Sequence, residues 1–183
     1  MTAESDQALG HSEYWDKHYA KSDGTAPTHE WYCSFGDLEQ FFQINLFEAD
    51  GLKSSDNPLI LHLGSGDSPS LQVIPVELAS RGYKRQLCID FSPTVVDLMT
   101  ERHAEVKGIE WKLMDVRDMA GVADKSVDFA FDKGTLDAMI HGSPWNPPET
   151  VKENTSGYLG EVCFAMNTMK SFFPDQSPRF IGY

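Results

Sequence analysis

The chain has 183 residues, 40% of them hydrophobic, with 15 Lys and Arg against 28 Asp and Glu and a net charge of −13. That is enough apolar material for one packed domain, it excludes disorder of the whole, and its acid excess argues against nucleic acid as a partner, since phosphate binding rests on clustered Lys and Arg. A basic protein partner suits the charge. Cys33, Cys88 and Cys163 are odd in number and lack CxxC spacing, so neither a disulfide framework nor a zinc knuckle is expected, and a reducing compartment is the simpler reading. No basic and apolar leader opens the chain, and no run approaches about 18 apolar residues, so the expected location is the cytosol with no membrane association.

Residues 1–13 read as a polar, flexible lead, and residues 14–183 as one domain. Tyr14, Trp15, Tyr19, Trp31, Tyr32 and Phe35 then cluster in a segment otherwise rich in Ser, Asp, Gly and Thr, an arrangement suited to covering a site. The spacing of Leu38, Phe41, Phe42, Ile44, Leu46 and Phe47 predicts a helix over Phe35 to Ala49, ended by Gly51. Short apolar runs then alternate with helical patterns, the signature of a parallel sheet flanked by helices, that is, a Rossmann-like α/β fold. The runs are Leu59 to Leu63, Gln86 to Asp90, Ile109 to Met114 and Val127 to Phe131. Helices are expected from near Pro69 and from Pro93 to about Val106, each opened by a Ser-Pro pair in which Ser caps and Pro takes the first helical position. A long helix from about Glu149 to Phe173, stopped by Pro174, precedes a possible fifth strand over Arg179 to Tyr183.

Ligands in open α/β sheets bind at the carboxyl ends of the strands, and here that edge is glycine and carboxylate. Leu63-Gly64-Ser65-Gly66-Asp67 places a tight turn between a strand and a helix start, where glycine permits close backbone approach. Taken alone, it also fits an ordinary packing turn. Asp90 ends the second strand, 24 residues beyond Gly66, where a carboxylate can accept both hydroxyls of a ribose; helix capping is the alternative role. A dinucleotide site would want a third glycine, but position 69 is Pro and no GxxxxGK[ST] loop occurs, which favours a nucleoside ligand without a diphosphate. The six histidines lack HxxxH or HExxH spacing, so no metal is expected, and no GxSxG elbow supports a nucleophile.

These motifs resemble the class I, seven-strand methyltransferases that use S-adenosyl-L-methionine. Glu13-Tyr14-Trp15, Trp31-Tyr32, Ile89-Asp90-Phe91-Ser92, Met114-Asp115-Val116-Arg117 and above all Asp132-Lys133-Gly134-Thr135-Leu136-Asp137 are similar to the subfamily of the elongation factor 1-alpha lysine methyltransferases, the endothelin-converting-enzyme-2-like methyltransferases among them. The resemblance covers about residues 13 to 163. It implies that Trp15, Tyr19 and Trp31 close over the cofactor, that Gly64, Ser65 and Gly66 pass beside its methionine part, and that Asp90, followed by Phe91, holds the ribose. It further implies that Asp115 and the backbone of Val116 meet the adenine edge and that Lys133 lies beside the cofactor, close to the acceptor. The implied reaction is methyl transfer to a lysine of a basic protein such as elongation factor 1-alpha, with no catalytic base assigned. A small-molecule acceptor would fit the same pattern.

Two departures stand out. Gly-Cys-Gly-Asn is usual where this chain has Gly64-Ser65-Gly66-Asp67, and the family continues past the long helix with a Lys-Pro-Gly-Gly turn and three more strands, where this chain reaches Tyr183. Lacking at least the final two strands, the fold is expected to leave its fourth or fifth strand as an open edge, available for pairing with another chain. A cofactor-binding module without activity, working through that edge, is the alternative function.

Overall fold

The computed structural model describes residues 8–20, 33–67, 73–143, 145–166 and 179–182. A helix α1 (Ser12–Tyr19) is followed by α2 (Phe35–Phe42), β1 (Ile60–Leu63), α3 (Ile74–Ser80), β2 (Gln86–Asp90), α4 (Pro93–Arg102), β3 (Ile109–Leu113), β4 (Phe129–Asp132), α5 (Thr135–Met139), α6 (Glu149–Ala165) and β5 (Arg179–Gly182). The strands form one sheet in the order β3-β2-β1-β4-β5, with all neighbours parallel. The chain reverses its direction of growth between β1 and β4, and the crevice at such a switch point is where α/β folds bind ligands.

Burial on both faces follows the two-residue period of the strands. Ile60, Phe129 and Phe131 pack under α2, α3 and Tyr83, whereas Leu61, Leu63, Ile89 and Ala130 meet Tyr158, Val162 and Ala165 of α6. A third cluster joins α1 to α4, with Trp15 and Tyr19 against Val95 and Met99. A capping box opens α2. The Ser34 amide donates to Asp37 Oδ2 at 2.9 Å while Ser34 Oγ accepts from the Asp37 amide, which satisfies two donors the helix leaves unpaired.

Several boundaries differ from those expected. The lead is described only from residue 8, and its end is already ordered: Leu9 packs on the third cluster and its carbonyl accepts from Trp15 Nε1 at 2.7 Å, so α1 begins at Ser12. The helix expected over Phe35 to Ala49 is α-helical only to Phe42 and continues as a π-helical turn, Gln43–Phe47. There Asn45 Nδ2 donates to the Phe41 carbonyl at 2.9 Å, and the wider turn keeps Leu46 fully buried. The helix opened by Ser92-Pro93 ends at Arg102 rather than near Val106, since the chain must turn through Gly108 (φ +94), packed on the Lys84 backbone, to enter β3. Ser92 makes no side-chain cap; its hydroxyl is used elsewhere. The start near Pro69, the stop at Pro174 and the end of the long helix beyond residue 166 lie outside the described residues.

Phe42 is completely buried, stacked on Phe35 at 5.5 Å and tilted against Phe131 at 5.1 Å. Phe42→Ala is expected to cost about 3–5 kcal/mol of stability through the cavity it opens, read as a lower urea midpoint with an unchanged denaturant slope.

Candidate active site

A cavity of about 450 Å³ opens at the carboxyl ends of β1, β2 and β4, with walls that are mostly apolar. Its floor is the glycine turn after β1. Gly64 and Gly66 have φ of +60° and +58°, a left-handed conformation that costs other residues energy. Space adds a second constraint at Gly64, because a Cβ there would stand 2.0 Å from Thr135 Oγ1. Thr135 opens α5, which follows β4, and its hydroxyl donates to the Leu63 carbonyl at 2.9 Å. The two loops flanking the switch point are thus clamped side chain to backbone.

Asp90 stands at the end of β2, 4% exposed. Its Oδ2 accepts from the Gly66 amide and its Oδ1 from the Ser92 amide, each at 3.0 Å. Burial pushes the carboxyl up to about 6; the amides of Ser92, Gly66 and Phe91 oppose that rise and the charge of Asp16 adds to it. Asp16 itself accepts from Ser92 Oγ at 2.5 Å, fastening α1 to the turn before α4. On that helix Trp15 and Tyr19 are stacked 5.7 Å apart and close one side of the cavity. Burial, with the charges of Asp90 and Asp67, raises the Tyr19 phenol.

The loop after β4 supplies the opposite wall. Buried Asp132 accepts from the amides of Thr135 and Leu136 at 2.8 and 3.0 Å and from Tyr158 Oη of α6 at 2.5 Å. Burial raises its carboxyl despite these donors. Lys133 lines the cavity and donates through Nζ to the Cys33 carbonyl at 3.3 Å. His62 of β1 also lines it. Gln86 Nε2 is committed to the carbonyls of Pro75 and Tyr83, both at 2.9 Å, so Gln86 Oε1 faces His62 Nε2 at 2.8 Å and requires a proton there. Burial pushes the His62 ring down to about 4, so it is neutral near pH 7.

Of the residues singled out in the sequence, Trp15, Tyr19, Gly64, Ser65, Gly66, Asp90, Phe91, Val116 and Lys133 share this one cavity. Trp31 lies outside the described residues. Asp115 is not among the residues lining the cavity, whereas its neighbour Val116 is. Arg117 holds Asp115 through Nε at 2.9 Å and Nη2 at 2.6 Å, while Arg117 Nη1 reaches Asn154 Oδ1 of α6. Partial burial would raise the Asp115 carboxyl, but the Arg117 hydrogen bonds and charge outweigh it and hold it below the usual range. Sequence reasoning missed His62, Asp16 and the clamp by Thr135. The Thr lay in a recognised motif, whereas no spacing signal marks His62 or Asp16. Among the described residues no cluster of His, Cys, Asp and Glu could hold a metal, and no helix is long and apolar enough to cross a membrane.

The sheet order, the glycine turn and the acid at the end of β2 define the fold of the class I S-adenosylmethionine-dependent methyltransferases. Solved structures of similar fold include one from work on the conversion of a disulfide bond into a thioacetal group during echinomycin biosynthesis, with TM-score 0.58 and 18% identity over 85% of this chain and 57% of that one. Another is a SAM-dependent methyltransferase from Aquifex aeolicus, with TM-score 0.50 and 13% identity over 92% of this chain and 69% of that one. In sequence the chain is similar to EEF1A lysine methyltransferase 4 of Mus musculus, 32% identical over 152 residues, which are 82% of this chain and 54% of the relative. The chain therefore spans about half the length of that relative. No protein family model matches it.

Two predictions follow from this geometry. Gly64→Ala should lower the melting temperature sharply, and adding Thr135→Ala should restore part of the loss by removing the hydroxyl and methyl it strikes. Asp90 gives stability a pH dependence. The folded carboxyl holds its proton to about 6 whereas an unfolded Asp releases it near pH 3.9, so the native state binds more protons between those values. Stability should fall by on the order of 3 kcal/mol as pH rises through that window and level off above it. Asp90→Ala should flatten that part of the profile in chemical denaturation.

Proposed function

We propose that this cavity binds S-adenosylmethionine and that the chain transfers a methyl group to a lysine side chain of a protein, with elongation factor 1-alpha the leading substrate. One observation carries the reading: a nearly dehydrated carboxylate ends β2 beside a glycine turn, on an apolar cavity of nucleoside size. The kinship with a named eEF1A lysine methyltransferase supports the choice of acceptor, and the acidic net charge suits a basic protein. The residues fit the cofactor. A carboxylate has about four lone-pair sites; the amides of Ser92, Gly66 and Phe91 draw on those of Asp90, and what remains is open to the hydroxyls of a ribose. Trp15 and Tyr19 offer ring faces, which favour a cationic ligand, and Val116 with Phe91 offers apolar surface for a base.

When bound, S-adenosylmethionine supplies a methyl group on a sulfonium that departs readily. The chain's own task is alignment and exclusion of water: α1 covers the cavity, Asp90 anchors one end of the ligand, and the loop carrying Lys133 to Asp137 forms the acceptor side. A lysine acceptor, with an ordinary pKa of about 10.4, must lose its proton before its nitrogen can take the methyl group. We assign residues 14–183 to the methyltransferase domain, extended by the start of α1, and place the protein in the cytosol. Pairing of two copies along a sheet edge is a subordinate proposal. In its favour, β5, on the side where the open edge was expected, has one strand neighbour in the described sheet; sedimentation velocity would test it.

Calorimetric titration with S-adenosylmethionine and S-adenosylhomocysteine should show binding, and Asp90→Ala should weaken it by about 2 kcal/mol, roughly 30-fold. Transfer of a radiolabelled methyl group to purified elongation factor 1-alpha, lost when the target lysine is replaced, is the expected activity. Absence of binding by the folded chain would overturn the reading. Binding without transfer to any protein lysine would leave a small-molecule acceptor or an inactive module.

A further inference from the structure

We propose that Asp137 and Ile140, three residues apart at the short helix α5, form the acceptor gate and select a protonated primary amine carried on an alkyl stem. The proposal rests on the cavity being the methyl-transfer site and names the chemistry its open side recognises.

The other acids at the strand ends are committed. Asp90 is held by two amides, Asp132 by two amides and the Tyr158 hydroxyl, and Asp115 by Arg117. Asp67 lines the cavity, but it is 2% exposed and interacts with its surroundings. Asp137 differs from all four. It is exposed, it lines the cavity, and among the described residues its carboxylate makes no hydrogen bond or ion pair. Only its backbone is used, its carbonyl accepting from the Ile140 amide at 3.1 Å.

Ile140 caps the C-terminus of α5 in an extended conformation, and its amide bond to the Asp137 carbonyl keeps the two residues close together at that end of the helix. Ile140 also lines the cavity and is 53% exposed, and Tyr14, 38% exposed, adds apolar surface from α1. One side of the opening therefore presents apolar surface leading to a carboxylate with unfilled acceptor sites. A cation on a hydrocarbon stem complements that order, and a lysine side chain has this form. Such pairing stabilises the ammonium, so Asp137 is a recognition residue: it gathers and orients the acceptor, and the proton leaves afterwards to water.

The experiment uses Nα-acetyl-lysine N-methylamide and its norleucine counterpart, which lacks only the ammonium, titrated by NMR into the chain with and without saturating S-adenosylhomocysteine. Wild type should prefer the lysine probe about tenfold. Asp137→Asn should abolish the preference and Asp137→Glu should keep it, with melting temperatures and S-adenosylhomocysteine affinity little changed. Ile140→Ser should weaken both probes alike. In methyl transfer Asp137→Asn should raise KM for a lysine acceptor about tenfold with kcat maintained. Equal binding of the two probes by wild type, or an undiminished preference in Asp137→Asn, would overturn the proposal. A wild-type chain that ignores S-adenosylhomocysteine would instead defeat the cofactor reading, and the titration without it would still decide the role of Asp137.

Discussion

A carboxylate removed from water at the end of β2 has to find its donors in the chain, and the architecture of the cavity follows from how Asp90 does so. It takes the Gly66 amide with one oxygen and the Ser92 amide with the other, so the turn after β1 and the turn before α4 are held at a fixed separation. The Ser92 hydroxyl, left free by that arrangement, binds Asp16 and brings α1 over the same point. Three stretches of chain far apart in sequence therefore meet around one side chain. The remaining lone pairs belong to the cavity, and a ligand with paired hydroxyls would complete the set.

The strand ends also show how environment divides labour among identical residues. Asp90, Asp115 and Asp132 each lie at or just past a parallel strand's carboxyl end. The first is shared between backbone and cavity. The second is neutralised in an Arg117 fork that braces a loop on α6. The third caps the loop into α5 and ties it to Tyr158. The partners differ: a turn 24 residues back for Asp90, a cation two residues on for Asp115, and the following loop together with Tyr158 for Asp132.

That dependence explains what was legible in the sequence. Strand positions were readable because runs such as Leu59 to Leu63 are buried on both faces and bounded by turns, and Gln86 to Asp90 was located to the residue. The glycine turn and Asp90 were readable because their spacing is local to one strand-helix-strand unit. The π-helical turn was not, since its residues keep ordinary helical spacing and only packing shows the extra residue. The Asp115 ion pair was not legible either, because nothing in the spacing shows that Arg117, two residues on, folds its guanidinium back onto that carboxylate while reaching Asn154 of α6. His62 had no signal at all: its neutrality comes from burial and its proton position from Gln86 on the next strand.

The clamp between Gly64 and Thr135 carries a consequence for how such a sequence can change over time. The two positions are 71 residues apart, yet the volume available at one is set by the other. Position 64 cannot drift independently of position 135. A substitution that adds a side chain at position 64 is tolerable only in a background where position 135 has already become smaller, and that background gives up the hydroxyl bond to Leu63. The order of mutations is thereby constrained, and a Gly-x-Gly turn of ordinary appearance is preserved by the shape of a loop in the other half of the sheet as much as by any ligand.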